Sequence, residues 1–220
     1  MKLRELIGLC RSETDDVTQP YLWSDADWIE YAVDAENEAC RRARLLIDSS
    51  TAAVCQIAVV AGTALYALDD LVLFVRRAKL SSQDIPLARV SYRDLDAFVP
   101  GWESHTGTPT HYATDYETGK VRLYPNPTAN ATLSLTVVRL PITDMNDLED
   151  MPEIKAHYHR SLRFWMLYRA YAKQDSETKD DAKAATNLAL FEQEFGKKSS
   201  AIDEEWIERE QAADPYDGTF

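Results

Sequence analysis

Cysteine is scarce: Cys10, Cys40 and Cys55 are odd in number, widely spaced and without a CxxC, so neither a disulfide framework nor a zinc site is indicated. The chain has only 7 glycines and 9 prolines, which excludes collagenous and low-complexity classes. Long apolar runs are missing too. The most apolar stretch, Ile57 to Leu68, holds about twelve residues, whereas a membrane-spanning helix takes about twenty. The opening MKLRELIGLCRSETDD lacks the apolar centre of a signal peptide, so the expectation is a soluble chain made in a reducing cytoplasm. Bases are outnumbered 24 to 37, a net charge of −13. Such a chain is poorly suited to gripping phosphates or an anionic membrane surface. GxGxxG, GxxxxGK[ST], GxSxG and HExxH are all missing.

What is present is patterned. At 220 residues and 45% hydrophobic, the chain can bury one sizeable core, with room for a second small domain. From Ser24, SDADWIEYAVDAENEACRRARLLIDSS reads as a helix. Ser24 and Asp27 form a capping box, and Trp28, Ala32, Ala35, Ala39, Ala43 and Leu46 recur at helical spacing. Acids lead it and Arg41, Arg42 and Arg44 close it, matching the macrodipole. A shorter helix, Lys2 to Arg11, precedes it. From Ala53 to Pro141 strand patterns take over: 54–60, 63–68, 72–80, 85–90, 111–115, 120–124 and 132–140. Ala61-Gly62 reads as a hairpin turn, as does Glu117-Thr118-Gly119, and Pro86 demotes its strand to an edge. Ser91 to Phe98 reads as a short helical turn before the aromatic loop VPGW. Helical spacing returns after Pro152, with Ile154, Tyr158, Leu162, Trp165, Tyr168 and Ala172 on one face. A last helix carries Ala185, Leu188, Phe191 and Phe195 up to Gly196.

The expectation is an α+β protein in which the N- and C-terminal helices, 1–50 and 144–200, form a bundle. Its core would hold Trp28, Ala32, Ala35, Ala39, Leu46, Tyr158, Leu162, Trp165 and Tyr168. Residues 51–143 would be an inserted antiparallel β domain, and 201–220 an acidic arm with seven acids and one arginine.

Little chemistry is visible. His157 and His159 on a helix point about 200° apart and do not share a metal easily, so both are expected on flanks or at the surface. Asp144, Asp147, Glu149 and Asp150 lack the central glycine and the spacing of a calcium loop, and read as a solvated linker. Asn130-Ala131-Thr132 is a glycosylation sequon without a secretory signal to give it weight. Eleven tyrosines and five tryptophans among mostly acidic neighbours suit cores and protein contacts better than base stacking. No catalytic residue, metal or cofactor is expected. The readings left open are a structural interaction protein, a cellular protein-binding module, and a small metal-dependent hydrolase using His157, His159 and the 144–153 acids.

One combination is more specific. WSDADWIEYAVDAENEA, GTALYALDDLVLFVRRAKL, PGWESHTGTPTHYATD, VRLYPNP, RLP and MPEIKAHYHRSLRFWMLYRAYAKQD follow in that order from Trp23 to Asp175. The series resembles the head-to-tail adaptor (connector) proteins of tailed bacteriophages. Leu68-Asp69-Asp70 departs from that family's pattern, which has a proline after the leucine. The resemblance implies a structural virion protein at the head-tail interface. It implies a homo-oligomeric ring, typically of twelve copies, beneath the portal protein. The ring would extend the channel through which genomic DNA passes without specific binding, and would offer a platform to tail or nozzle proteins. It also implies an arm that docks on the portal, for which Trp206, Ile207, Tyr216 and Phe220 are the expected contacts.

Overall fold

The computed structural model describes residues 1–174 and 179–198. In chain order these form α1 (Leu3–Thr14) and α2 (Asp25–Ala43), then β1 (Ile47–Asp48), α3 (Ala52–Cys55), β2 (Gln56–Val59), β3 (Leu65–Ala67), β4 (Val72–Leu80) and β5 (Ala88–Arg89). There follow α4 (Tyr92–Phe98), a 3-10 turn at Trp102–Ser104, β6 (Thr106–Gly107), β7 (His111–Ala113), β8 (Lys120–Tyr124), β9 (Asn126–Pro127) and β10 (Ala131–Arg139). The chain ends in α5 (Ala156–His159), α6 (Leu162–Ala172) and α7 (Asp181–Phe195). The class is mixed α+β. The described residues divide into two compact units, Met1–Leu46 with Leu140–Lys198, and Ile47–Arg139.

In the first unit, α6 packs against α1, α2 and α7. Ser24 caps α2: its hydroxyl accepts the Asp27 N–H, and the Asp27 carboxylate accepts the Ser24 N–H. Trp28, Ala32, Ala35 and Ala39 are fully buried, as are Leu162 and Met166 of α6. The alanines let α2 and α6 approach closely. Leu46, Tyr158, Trp165 and Tyr168 pack on this core half-buried. The single helix anticipated from Pro152 is instead two, α5 and α6. The N–H groups of Glu153 and Ile154, which would start it, go to the buried Glu36 carboxylate at 2.5 and 3.2 Å. The chain then passes through i→i−3 hydrogen bonds from Ser161 to Tyr158 and from Phe164 to Ser161. This shift of phase moves His159 inward. It is 4% exposed, and its Nε2 donates to the Ile154 carbonyl at 2.8 Å, so the expectation of a flanking or surface residue is corrected. In α7 the buried positions are Ala184, Phe191 and Phe195, while Ala185 is exposed and Leu188 half-buried.

In the second unit, β10 is the spine. It pairs antiparallel with β1 and β2 along one edge and with β4 along the other. Leu133, Leu135 and Val137 point inward from it, and Ser134 and Thr136 point out. The second sheet runs β3-β8-β7-β5, and a two-stranded parallel pair joins β6 and β9. Ala61-Gly62 is no hairpin turn, because β2 and β3 belong to different sheets. The chain turns a corner there, with the Tyr66 hydroxyl bonded to Val60 and Thr63 and Gly62 at φ +82°. Where the resemblance lacks its proline, Asp69 makes the turn itself, accepting the Leu71 and Val72 N–H groups.

Three outcomes test this packing. Trp28→Ala should cost about 3–5 kcal/mol in urea unfolding and the half-buried Trp165→Ala about 1–3 kcal/mol; equal costs would contradict the described core. His159→Ala should cost about 1–3 kcal/mol, and the exposed His157→Ala under about 0.5 kcal/mol. Burial pushes the Glu36 carboxyl up to about 7, helped by Glu153 and Asp144 and opposed by the two backbone N–H groups. The folded form therefore holds this proton more tightly than the unfolded chain does. Its contribution to stability is full below the ordinary carboxylate range and is lost as pH rises through about 7. The melting temperature should fall by roughly 5 °C between pH 5 and 8, with Glu36→Gln removing much of that slope.

Candidate functional site

Two surfaces present rings and apolar side chains on braced backbone, one in each unit. In the β unit, aromatic residues from α4, the 3-10 turn, β8 and the loop after β7 meet. Trp102 contacts Tyr116 and Tyr124 edge-on, with centroids 5.7 and 6.1 Å away, and Tyr92 abuts Tyr116 at 6.2 Å. The Arg122 guanidinium lies 4.6 Å over both Trp102 and Tyr116. Trp102 is buried, and its indole N–H donates to Asp96 at 2.8 Å. The Tyr116 hydroxyl donates to Glu103 at 2.9 Å; that bond, and then the charge of Glu103, push its pKa up. Phe98, at the end of α4, is 68% exposed. Tryptophan, tyrosine and arginine on a fixed frame are the residue types that dominate protein interfaces.

In the helical unit, the loop from Asp16 to Trp23 is held by a buried ion pair. Arg11 donates to Asp16 at 2.8 Å, to the Trp23 carbonyl at 3.1 Å and to Asp25 at 2.8 Å. Asp16 also accepts the Leu22 N–H at 2.9 Å, and Arg11 covers the Tyr21 ring at 3.6 Å. The loop so fixed leaves Val17 61% and Leu22 49% exposed. Sequence reasoning passed over this loop; its only signal was an apolar Tyr-Leu-Trp run beside a proline.

Where the sequence suggests chemistry, the side chains serve the fold instead. The acids of 144–153 act on their own chain: Asp150 accepts the Asn146 and Asp147 N–H groups, and Glu149 pairs with Lys2 and Arg4 at 2.5 Å. The Leu148 and Asp150 carbonyls accept the Arg4 and Leu3 N–H groups, satisfying donors at the start of α1. His157 stacks on Tyr158 at 4.0 Å, while His159 is committed to Ile154. His111 is buried, which lowers its pKa, and its Nδ1 lies 2.8 Å from the Thr110 hydroxyl. Among the described residues, no three His, Cys, Asp or Glu side chains form a group able to hold a metal, and no helix is long and apolar enough to cross a membrane. An open hollow of about 360 Å³ is lined by Gln83, Asp84, Ile85, Pro86 and Thr110, with Asp84 as its one titratable member. Cys10, Cys40 and Cys55 are buried free thiols, and burial raises the pKa of Cys10. Trp206, Ile207, Tyr216 and Phe220 lie outside the described residues.

What the geometry offers is surface for partners. No curated protein matches the chain. The SU10 adaptor protein family matches residues 1–215, nearly the whole length. The chain belongs to that family of phage head-to-tail adaptors.

Proposed function

We propose that this chain is a non-enzymatic structural component of a phage virion, an adaptor at the head-tail interface that contacts portal and tail components. The match of the adaptor family over residues 1–215 carries this reading. In the finer form of the proposal, copies of the chain close into a ring beneath the portal, with twelve the expected number. The ring continues the DNA channel and seats tail or nozzle proteins, and the chain reaches it from the host cytoplasm without a cofactor.

Two features support the finer form. A channel that lets a genome slide should not hold phosphate tightly, and a net charge of −13 suits that requirement. The braced surfaces at Val17–Leu22 and around Phe98, Trp102 and Tyr116 offer a subunit contacts that cost little further ordering on binding. The arm 201–220, with Trp206, Ile207, Tyr216 and Phe220 among seven acids, is proposed as the portal-docking element. Many such arms engaged at once would bind with high avidity.

Native mass measurement of the purified protein, alone and with portal rings, tests the reading. A ring-sized particle or a portal-bound assembly is expected, and a stable monomer without portal affinity would overturn it. Deleting residues 201–220 should abolish portal association and leave the unfolding of the remaining body within about 1 kcal/mol of the full chain. Attachment at wild-type strength would move docking to the folded units.

A further inference from the structure

Many of the 24 bases sit beside one of the 37 acids. Arg11 meets Asp16 and Asp25, Arg42 meets Glu38 and Glu192, and Arg169 meets Glu30 and Asp34. Strand β4 departs from this pattern. Arg76, Arg77 and Lys79 lie within four residues of one another, and none has an ion pair among the described residues. The register shift between Thr136 and Val137 of β10 leaves Arg76 as an extra residue, so Arg76 and Arg77 are both exposed. Arg77 and Lys79 share one face of the sheet, opposite Thr136 and Ser134, and Ser134 in turn faces Gln56 of β2. Strands β2, β4 and β10 contain no aspartate or glutamate. The whole β unit holds nine acids and eight bases, so the acidity of the chain lies elsewhere.

β4 is also a sheet edge. Among the described residues it pairs with β10 on one side, and on the other meets only the isolated bridge from Ala78 to Leu87. Charge at an edge deters pairing with foreign strands. Lysine is the usual choice there, which accounts for Lys79 but not for the two arginines at the bulge beside it.

We infer that this cationic strand is the seat of the acidic C-terminal segment, residues 201–220, of the same chain. Seven acids and one arginine make that segment the most one-sided charge in the sequence, and Trp206 and Ile207 supply apolar contact beside it. Two serines, Ser199 and Ser200, separate it from Lys198, the last described residue. Twenty-two residues can extend roughly 70 Å, so the tether does not restrict it. A tethered anion competes at an effective concentration of about a millimolar, whereas DNA must come from solution against the repulsion of an acidic protein. The inference concerns the isolated chain, whatever the segment contacts after assembly.

Hydrogen–deuterium exchange of the full-length protein tests it. At 50 mM salt, Arg76→Ser/Arg77→Ser/Lys79→Ser should speed exchange of amides 201–220 by roughly tenfold, and 500 mM salt should do the same to the wild type. Arg76→Lys/Arg77→Lys should keep the protection, because charge and not shape is required. Should the serine variant not fold, Glu204→Gln/Glu205→Gln/Glu208→Gln/Glu210→Gln in an unaltered body should release the segment equally. Unchanged exchange in either set of neutral variants overturns the inference. Protection that grows with protein concentration assigns the seat to a neighbouring copy and overturns the same-chain form. A labelled 30-base-pair duplex should not bind the wild type. If it binds, and the serine variant loses that binding, the cations serve DNA and the inference fails.

Discussion

The β unit depends on a single buried ion pair that ties its beginning to its end. Asp48 lies in β1, where the chain enters the unit, and Arg139 is the last residue of β10, where it leaves. The Arg139 Nε donates to Asp48 at 2.7 Å, and both side chains are less than a tenth exposed. The same carboxylate accepts the Thr51 hydroxyl at 2.6 Å, the Ser50 N–H at 2.8 Å and the Ser50 hydroxyl at 3.0 Å. A buried pair of this kind is not by itself a large source of stability, since both charges must leave water. Its effect lies in position: it joins two strands 91 positions apart where they must meet. The local turn at Ser50–Thr51 and the long-range closure of β1 on β10 are thus one structure sharing one carboxylate.

Glu36 in the helical unit is the electrostatic opposite. Both carboxylates are buried and both anchor backbone, yet Asp48 is held far below the ordinary range by the Thr51 hydroxyl, with the Ser50 N–H and Arg139 adding to it. Glu36 has two backbone donors and no base, and burial prevails. Asp48 therefore favours folding at every pH above the ordinary carboxylate range, and that contribution fades only in strong acid. Glu36 favours folding in mild acid and opposes it above neutrality. The two units of one chain respond to pH with opposite sign because one buried acid accepts from hydroxyl, N–H and guanidinium donors together and the other from two N–H groups alone.

The same residues mark the limits of what the sequence reveals. α2 was legible because its determinants are local: a serine cap, an acid three residues on, and small apolar residues every turn. The break between α5 and α6 was not, because it falls at Arg160-Ser161, where no glycine or proline marks it and only the i→i−3 hydrogen bonds to Tyr158 and Ser161 show it. His159 was misplaced for the same reason, since an unbroken helix would have set it at a different angle. Ala61-Gly62 carries the composition of a hairpin, and only the distant pairing of β2 with β10 shows it to be a corner. Tyr92, Trp102, Tyr116 and Tyr124 come from four separate pieces of chain and follow no period. Of the four, only Trp102 and Tyr124 fall in the segments that carry the resemblance, and nothing local announces that they meet Tyr92 and Tyr116.

Charge sets the terms on which such a chain can associate with itself. At −13, two copies repel at long range, and that repulsion is screened over about 8 Å at physiological salt. Contacts that overcome it must act at short range, by burying apolar and aromatic surface that is already in place. That is what the Arg11–Asp16 pair supplies beneath Val17 and Leu22, and what Arg122 and Asp96 supply around Trp102. In both places a charged group is spent internally, fixing the backbone under an apolar surface, and adds little to the field outside. Under the proposed function, contact between copies through those surfaces would strengthen with salt, while the proposed seat on β4, being ionic, would weaken.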